Sequence, residues 1–130
     1  TVLDYIEKGK AEGATLACGG ARATEGDLAN GYFIQPTVFT DVTNDMTIAQ
    51  EEIFGPVLCV MKYDDEDQAV KIANDSIFGL GGGVWSEDID RARAVAGRMR
   101  TGTVWINDWH LLSERMPFGG YKQSGFGGRD

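Results

Sequence analysis

The sequence has only two cysteines, three prolines and one histidine in 130 residues, is short of basic groups and contains no long hydrophobic run. Cys18 and Cys59 are far apart and form no CxxC pair, and His110 has no histidine neighbour, so a disulfide framework and a zinc site both drop out. Twelve Lys and Arg face twenty Asp and Glu, a formal charge of −8 with no basic stripe. Nucleic-acid phosphates and anionic membranes would be repelled, which leaves a small molecule or a protein as the expected partner. The apolar runs fall far short of the roughly 20 residues that a membrane span needs, and the first residues lack the basic and apolar blocks of a leader. The chain reads as soluble and cytoplasmic.

What is present, 42% hydrophobic and 25% charged residues, suits one globular domain with a modest core. Val2, Leu3 and Ile6 recur at helical spacing, and Gly9 and Gly13 are expected to weaken and then stop that helix. Residues 14–18 read as a short strand, 21–31 as a polar surface loop, and 32–39 as a strand that Pro36 assigns to an edge or a bulge. The nearly continuous apolar stretch Val57 to Tyr63 predicts a strand covered on both faces. A helix follows, with Asp64 as its cap and Ala69, Val70, Ile72 and Ala73 as its buried stripe. Residues 82–85 form the next strand; Ser86 then caps a helix that buries Ile89, Ala92, Ala96 and Met99 before the strand Thr103 to Asn107. Short connections in the order β-α-β-α-β give an α/β fold, a mostly parallel sheet with covering helices. From Asp108 onward no period remains, and irregular segments of that length are usually functional or disordered.

Several patterns resemble chemistry without completing it. GLGGGV, Gly79 to Val84, lacks the third glycine of a dinucleotide fingerprint and precedes a strand instead of a helix. Gly120 to Gly125 has the GxxxxG spacing of a phosphate loop, but Phe126 stands where the lysine is needed. Asp108, His110 and Ser113 are the residue types of a hydrolytic triad crowded into one loop without GxSxG, so His110 reads as a residue lining or flanking a pocket. Neither cysteine has an activating base or a helix N-terminus, and both read as small buried residues.

EEIFGPV, Glu51 to Val57, sets two adjacent carboxylates before an aromatic ring and a Gly-Pro corner. Adjacent side chains in an extended segment point apart, which argues against an acid-base pair. One glutamate at a strand mouth can accept hydrogen bonds from ribose hydroxyls while Phe54 offers a flat apolar face. By itself the heptapeptide reads first as a solvated acidic turn with a core phenylalanine.

Five motifs in order decide between these readings: GYFIQPTVF at Gly31 to Phe39, MTIAQEEIFGPV at Met46 to Val57, the stretch from Ala73 to Ser86, GTVWIN at Gly102 to Asn107 and PFGGYKQSG at Pro117 to Gly125. Together they resemble the C-terminal part of the catalytic domain of NAD(P)-dependent aldehyde dehydrogenases, and the resemblance covers essentially residues 1–130. It implies that Glu52 holds the nicotinamide ribose, that Phe54 packs near the nicotinamide ring, and that Glu51 is a solvated charge. Trp109, Leu112 and Phe118 would line the aldehyde entrance.

Family chemistry uses a cysteine thiolate, hydride transfer to NAD or NADP, and a glutamate base that hydrolyses the thioester. The resemblance places that cysteine, that glutamate and the cofactor domain upstream of the matched region, so this chain is expected to supply no catalytic residue and to be inactive alone. Cys18 and Cys59 fall at non-catalytic positions. A homo-oligomeric parent is implied, with the chain stopping before the strand that helps build the oligomer. FGGRD, Phe126 to Asp130, has one glycine more than the family usually shows before the arginine. Asp108 and Glu114, with Trp109 and Phe118 available for cation–π contact, favour a cationic aldehyde such as an aminoaldehyde or betaine aldehyde. The rival is a short, non-catalytic binding or assembly module on the same scaffold.

Overall fold

A computed structural model describes residues 1–126 and divides the chain into two compact units, Thr1–Lys62 and Tyr63–Asp130. The extra glycine before Arg129 lies outside the described residues.

In the first unit, α1 (Val2–Ala11) leads into β1 (Thr15–Cys18), a 3-10 turn (Gly26–Asn30), β2 (Thr37–Thr40), α2 (Thr47–Gln50) and β3 (Val57–Cys59). The sheet order is β1-β2-β3, antiparallel between β1 and β2 and parallel between β2 and β3. Phe39 and Ile6 are fully buried and pack with Ala14, Val42 and Ile48 as the core. Gly9, expected to weaken α1, lies buried inside it, because a side chain there would collide with Ile48.

The strand expected over 32–39 forms only from Thr37, and it is central instead of an edge. Pro36 has no N–H to donate, so the ladder begins one residue later, where Thr37 N donates to Pro56 O at 2.8 Å. The register irregularity falls on the partner strand, between Leu16 and Cys18. β3 is also shorter than the apolar run suggested. Leu58 is 60% exposed and Val60, just beyond the strand, 41%, so the strand is not covered on both faces.

In the second unit, α3 (Glu66–Asn74) and β4 (Phe78–Gly79) precede β5 (Gly81–Val84), α4 (Ile89–Ala96), β6 (Thr103–Ile106) and β7 (Tyr121–Lys122). β5 and β6 pair in parallel with α4 as their crossover, whereas β4 and β7 pair antiparallel. The α/β class therefore holds, but the expected continuous layer is divided into separate ladders, β3 belonging to the sheet of the first unit.

Both caps lie one or two residues beyond the expected positions. Asp65, not Asp64, accepts from Gln68 N, and Asp88, not Ser86, accepts from Arg91 N. Ser86 Oγ instead accepts from Asp88 N at 3.1 Å, forming the turn that leads into α4. The glycines of β5 have a packing role: a side chain at Gly81 would meet the Trp105 ring and one at Gly82 the Met99 tip. Val70 and Ala92 are buried here among the described residues, whereas Ala73 and Ile89, expected on the buried faces of α3 and α4, are exposed. No helix among the described residues is long and apolar enough to cross a membrane.

Candidate functional site

In the first unit, EEIFGPV is held as a shaped corner. Glu51 ends α2 in extended backbone (φ −106°, ψ 148°), Phe54 adopts left-handed backbone (φ 54°), and Val57 N donates to Gly55 O at 2.8 Å. A left-handed phenylalanine is sterically unfavourable and persists only when its surroundings demand it. The residue is 87% exposed, not the core phenylalanine of the simpler reading. Glu51, Glu52 and Phe54 line a concavity of ≈ 440 Å³ that continues along β3 to Val57 and Cys59. It runs beside the strand, not beyond the carboxyl ends of a parallel sheet where open α/β folds usually bind.

Glu51 is not merely a solvated charge, since its Oε2 accepts from Tyr5 Oη at 2.7 Å. That hydrogen bond raises the Tyr5 phenol above its ordinary value. Glu52 is exposed on the concavity. A carboxylate accepts from two neighbouring hydroxyls of a ribose, and an exposed ring supplies an apolar face for a planar heterocycle. The pair therefore sets a hydroxyl acceptor beside an apolar face on one concavity.

The cysteines are in different settings. Cys59 Sγ donates to Ile48 O at 3.4 Å, and burial pushes its thiol up, away from the thiolate. Cys18, expected to be buried, is exposed, with Sγ 3.9 Å from Pro36 O.

In the second unit, residues 107–118 leave β6 as one exposed stretch. Asn107 takes left-handed backbone (φ 54°), and its side chain imitates a strand partner, accepting from Ser86 N and donating to Ser86 O, both at 2.8 Å. Trp105 Nε1 donates to Leu111 O at 2.9 Å. His110 stacks on Trp109 at 5.1 Å and 10°, and Trp105 meets Trp109 at 5.0 Å and 57°. His110, expected to line or flank a pocket, is a stacking partner of Trp109. Asp108 accepts from Trp109 N and Ser113 Oγ from Arg115 N, so each member of the nominal triad is engaged locally.

Leu112 and Phe118 come together around an apolar concavity of ≈ 340 Å³ that also includes Met116 and Glu114. Trp109 belongs to the neighbouring ring stack and not to that lining. Beyond the loop, Lys122 Nζ donates to Asn74 O at 2.7 Å and Ser76 O at 2.8 Å, and Gly79 N donates to Ser124 Oγ at 2.9 Å.

Sequence reasoning missed Tyr5, Trp105 and Lys122. Asn107 carried a readable signal, since asparagine tolerates left-handed backbone where a strand gives way to a loop. No local pattern announces that a tyrosine early in α1 will bond to a glutamate in residues 51–57.

The model described as the aldehyde dehydrogenase family matches residues 1–130. Over 126 residues the chain is 59% identical to the betaine aldehyde dehydrogenase of Brucella anthropi and 57% identical to that of Brucella melitensis, covering 97% of this chain and 26% of each relative. Among solved structures it is similar to a Mycobacterium tuberculosis aldehyde dehydrogenase complexed with NAD+, at 57% identity and a TM-score of 0.92. It is likewise similar to a betaine aldehyde dehydrogenase point mutant from Staphylococcus aureus in complex with NAD+, at 50% identity and a TM-score of 0.95. Each match covers 97% of this chain and 26% of the solved one, so the chain spans roughly a quarter of the length of these relatives.

Proposed function

The chain belongs to the aldehyde dehydrogenase family, and we propose that residues 1–130 are the C-terminal portion of the catalytic domain of an enzyme that oxidises an aldehyde to a carboxylic acid with NAD+ or NADP+ through a cysteine thioester. The nucleophilic cysteine, the general-base glutamate and the cofactor domain then belong to the rest of that protein, and the chain by itself is inactive. Bound NAD(P)+ supplies the hydride acceptor for the aldehyde carbon.

The observation that carries this reading is the placement of Glu52 and the exposed, left-handed Phe54 on one concavity. Glu52 accepts from the ribose hydroxyls, and a hydrogen bond to a charged group contributes about 1.5–3 kcal/mol. Phe54 limits the tilt of the ring beside it, so the two residues hold the nicotinamide in register with the aldehyde. In the intact protein, Glu52→Gln is expected to lower kcat/KM for NAD+ by about ten- to a hundredfold at unchanged melting temperature. Unchanged kcat/KM would refute the assignment.

Leu112 and Phe118 wall the aldehyde channel, and Trp109 braces the loop that carries them. Glu114, beside Phe118 on the same apolar concavity, suits a cationic aldehyde of the betaine or aminoaldehyde kind, with the ring face and the carboxylate both attracting the charge. Betaine aldehyde dehydrogenases among the relatives favour the same substrate class. Equal kcat/KM for a cationic and a neutral aldehyde of the same length would overturn this part. Exposed Tyr32, Phe33 and Leu111 suit docking against the rest of the subunit and a partner subunit of a homo-oligomer.

A further inference from the structure

α1 runs antiparallel along the whole segment that carries Glu52 and Phe54. Four residues of its one face, at helical spacing, meet that segment in reverse order. Glu12 accepts from Thr47 N at 2.8 Å and from Thr47 Oγ1 at 2.5 Å, capping α2 where Met46 offers no side-chain acceptor. Gly9 lets Ile48 approach so closely that an added methyl would lie 2.8 Å from its Cδ1. Tyr5 Oη donates to Glu51. Val2 then lies against Gly55, where an added methyl would lie 2.6 Å from Val2 Cγ2. The spacing 2, 5, 9 and 12 is one stripe of a helix.

Among these contacts the Tyr5 bond is the directional one nearest to Glu52. Glu51 has extended backbone, in which consecutive side chains project to opposite sides. Both residues border the concavity, so drawing the Glu51 carboxylate toward α1 restrains the backbone that carries Glu52.

We propose that Tyr5 is a positioning residue for the nicotinamide end of the cofactor, its hydroxyl fixing Glu51 so that the adjacent Glu52 is turned outward to the ribose. This rests on the role assigned to Glu52 above. Tyr5 touches neither cofactor nor substrate. It reduces the number of directions Glu52 samples before binding, and that preorganisation strengthens binding without adding a contact. Lys8 Nζ lies 5.0 Å from the Tyr5 ring centre, so the ring stays packed when only the hydroxyl is removed.

The test uses the intact protein and four variants: Tyr5→Phe, Glu51→Ala, the double variant, and Glu52→Gln. NAD+ dissociation constants are measured by calorimetry without aldehyde, alongside melting temperatures and the kcat and KM for both substrates. Tyr5→Phe is expected to weaken NAD+ binding about five- to tenfold, the size of one hydrogen bond, to leave the aldehyde KM in place and to lower the melting temperature only slightly. Glu51→Ala should give a similar loss, and the double variant no more than either alone, because both remove one interaction. Loss of NAD+ affinity in Glu52→Gln with none in Tyr5→Phe would overturn the positioning role alone. Additive losses in the double variant, or equal losses for NAD+ and aldehyde in Tyr5→Phe, would also overturn it. No loss in Glu52→Gln would instead remove the nicotinamide reading, and the positioning role with it.

Discussion

Residues 51–56 and residues 108–118 both carry candidate site residues, but they are held by different means. The first segment is held against a helix by the Tyr5–Glu51 bond and the Val2–Gly55 contact, and rests on a core in which Phe39 and Ile6 are fully buried. The second is exposed throughout in this chain and is shaped by stacked rings, one indole hydrogen bond and the Asn107 bridge to Ser86. The difference separates preorganisation supplied within the chain from preorganisation that, on the proposed reading, needs the rest of the protein.

The strongest way to break that contrast is through the cores. Phe39→Ala should destabilise the intact protein by about 3–5 kcal/mol, whereas Val70→Ala in the second unit should cost about 2 kcal/mol or less. Denaturant unfolding measures both, and equal losses would mean that the two units are supported alike. A smaller effect is expected at the exposed loop. Leu112→Ala and Phe118→Ala should shift stability by no more than about 0.5 kcal/mol while raising the aldehyde KM several-fold. A large stability loss without a KM change would make these residues packing groups.

The smallest effect concerns pH. Hydrogen bonding to the Glu51 carboxylate raises the Tyr5 phenol above its ordinary value of 10.0. A folded-state value above the unfolded one means that the contribution is complete below about pH 10 and is lost as pH rises through the higher folded value. Melting temperatures followed from pH 9 to 11.5 should therefore fall more for the wild-type protein than for Tyr5→Phe. Parallel curves would remove Tyr5 as a source of alkaline sensitivity.

Much of the fold was legible because it follows from local rules. α1, α3, α4 and the parallel β5–β6 pair occur where periodicity and short connections placed them. The errors have common causes. Asp65 and Asp88 cap in preference to Asp64 and Ser86 because several capping residues occur in a row and backbone direction chooses among them. The apolar run after Pro56 gave too long a strand, because periodicity cannot distinguish a face buried in this chain from one that other parts of a protein cover. At the candidate site, motif resemblance pointed to Glu52, Phe54, Leu112 and Phe118 directly. The Tyr5–Glu51 bond joins residues 46 positions apart, so it was beyond any local pattern.

The central claim is that Glu52 meets the nicotinamide half of the dinucleotide. Binding of NAD+ and of AMP, which lacks that half, should be measured calorimetrically on the intact protein and on Glu52→Gln. The account predicts a loss of about ten- to a hundredfold for NAD+ and none for AMP. Equal losses for both ligands, or no loss for either, would contradict it.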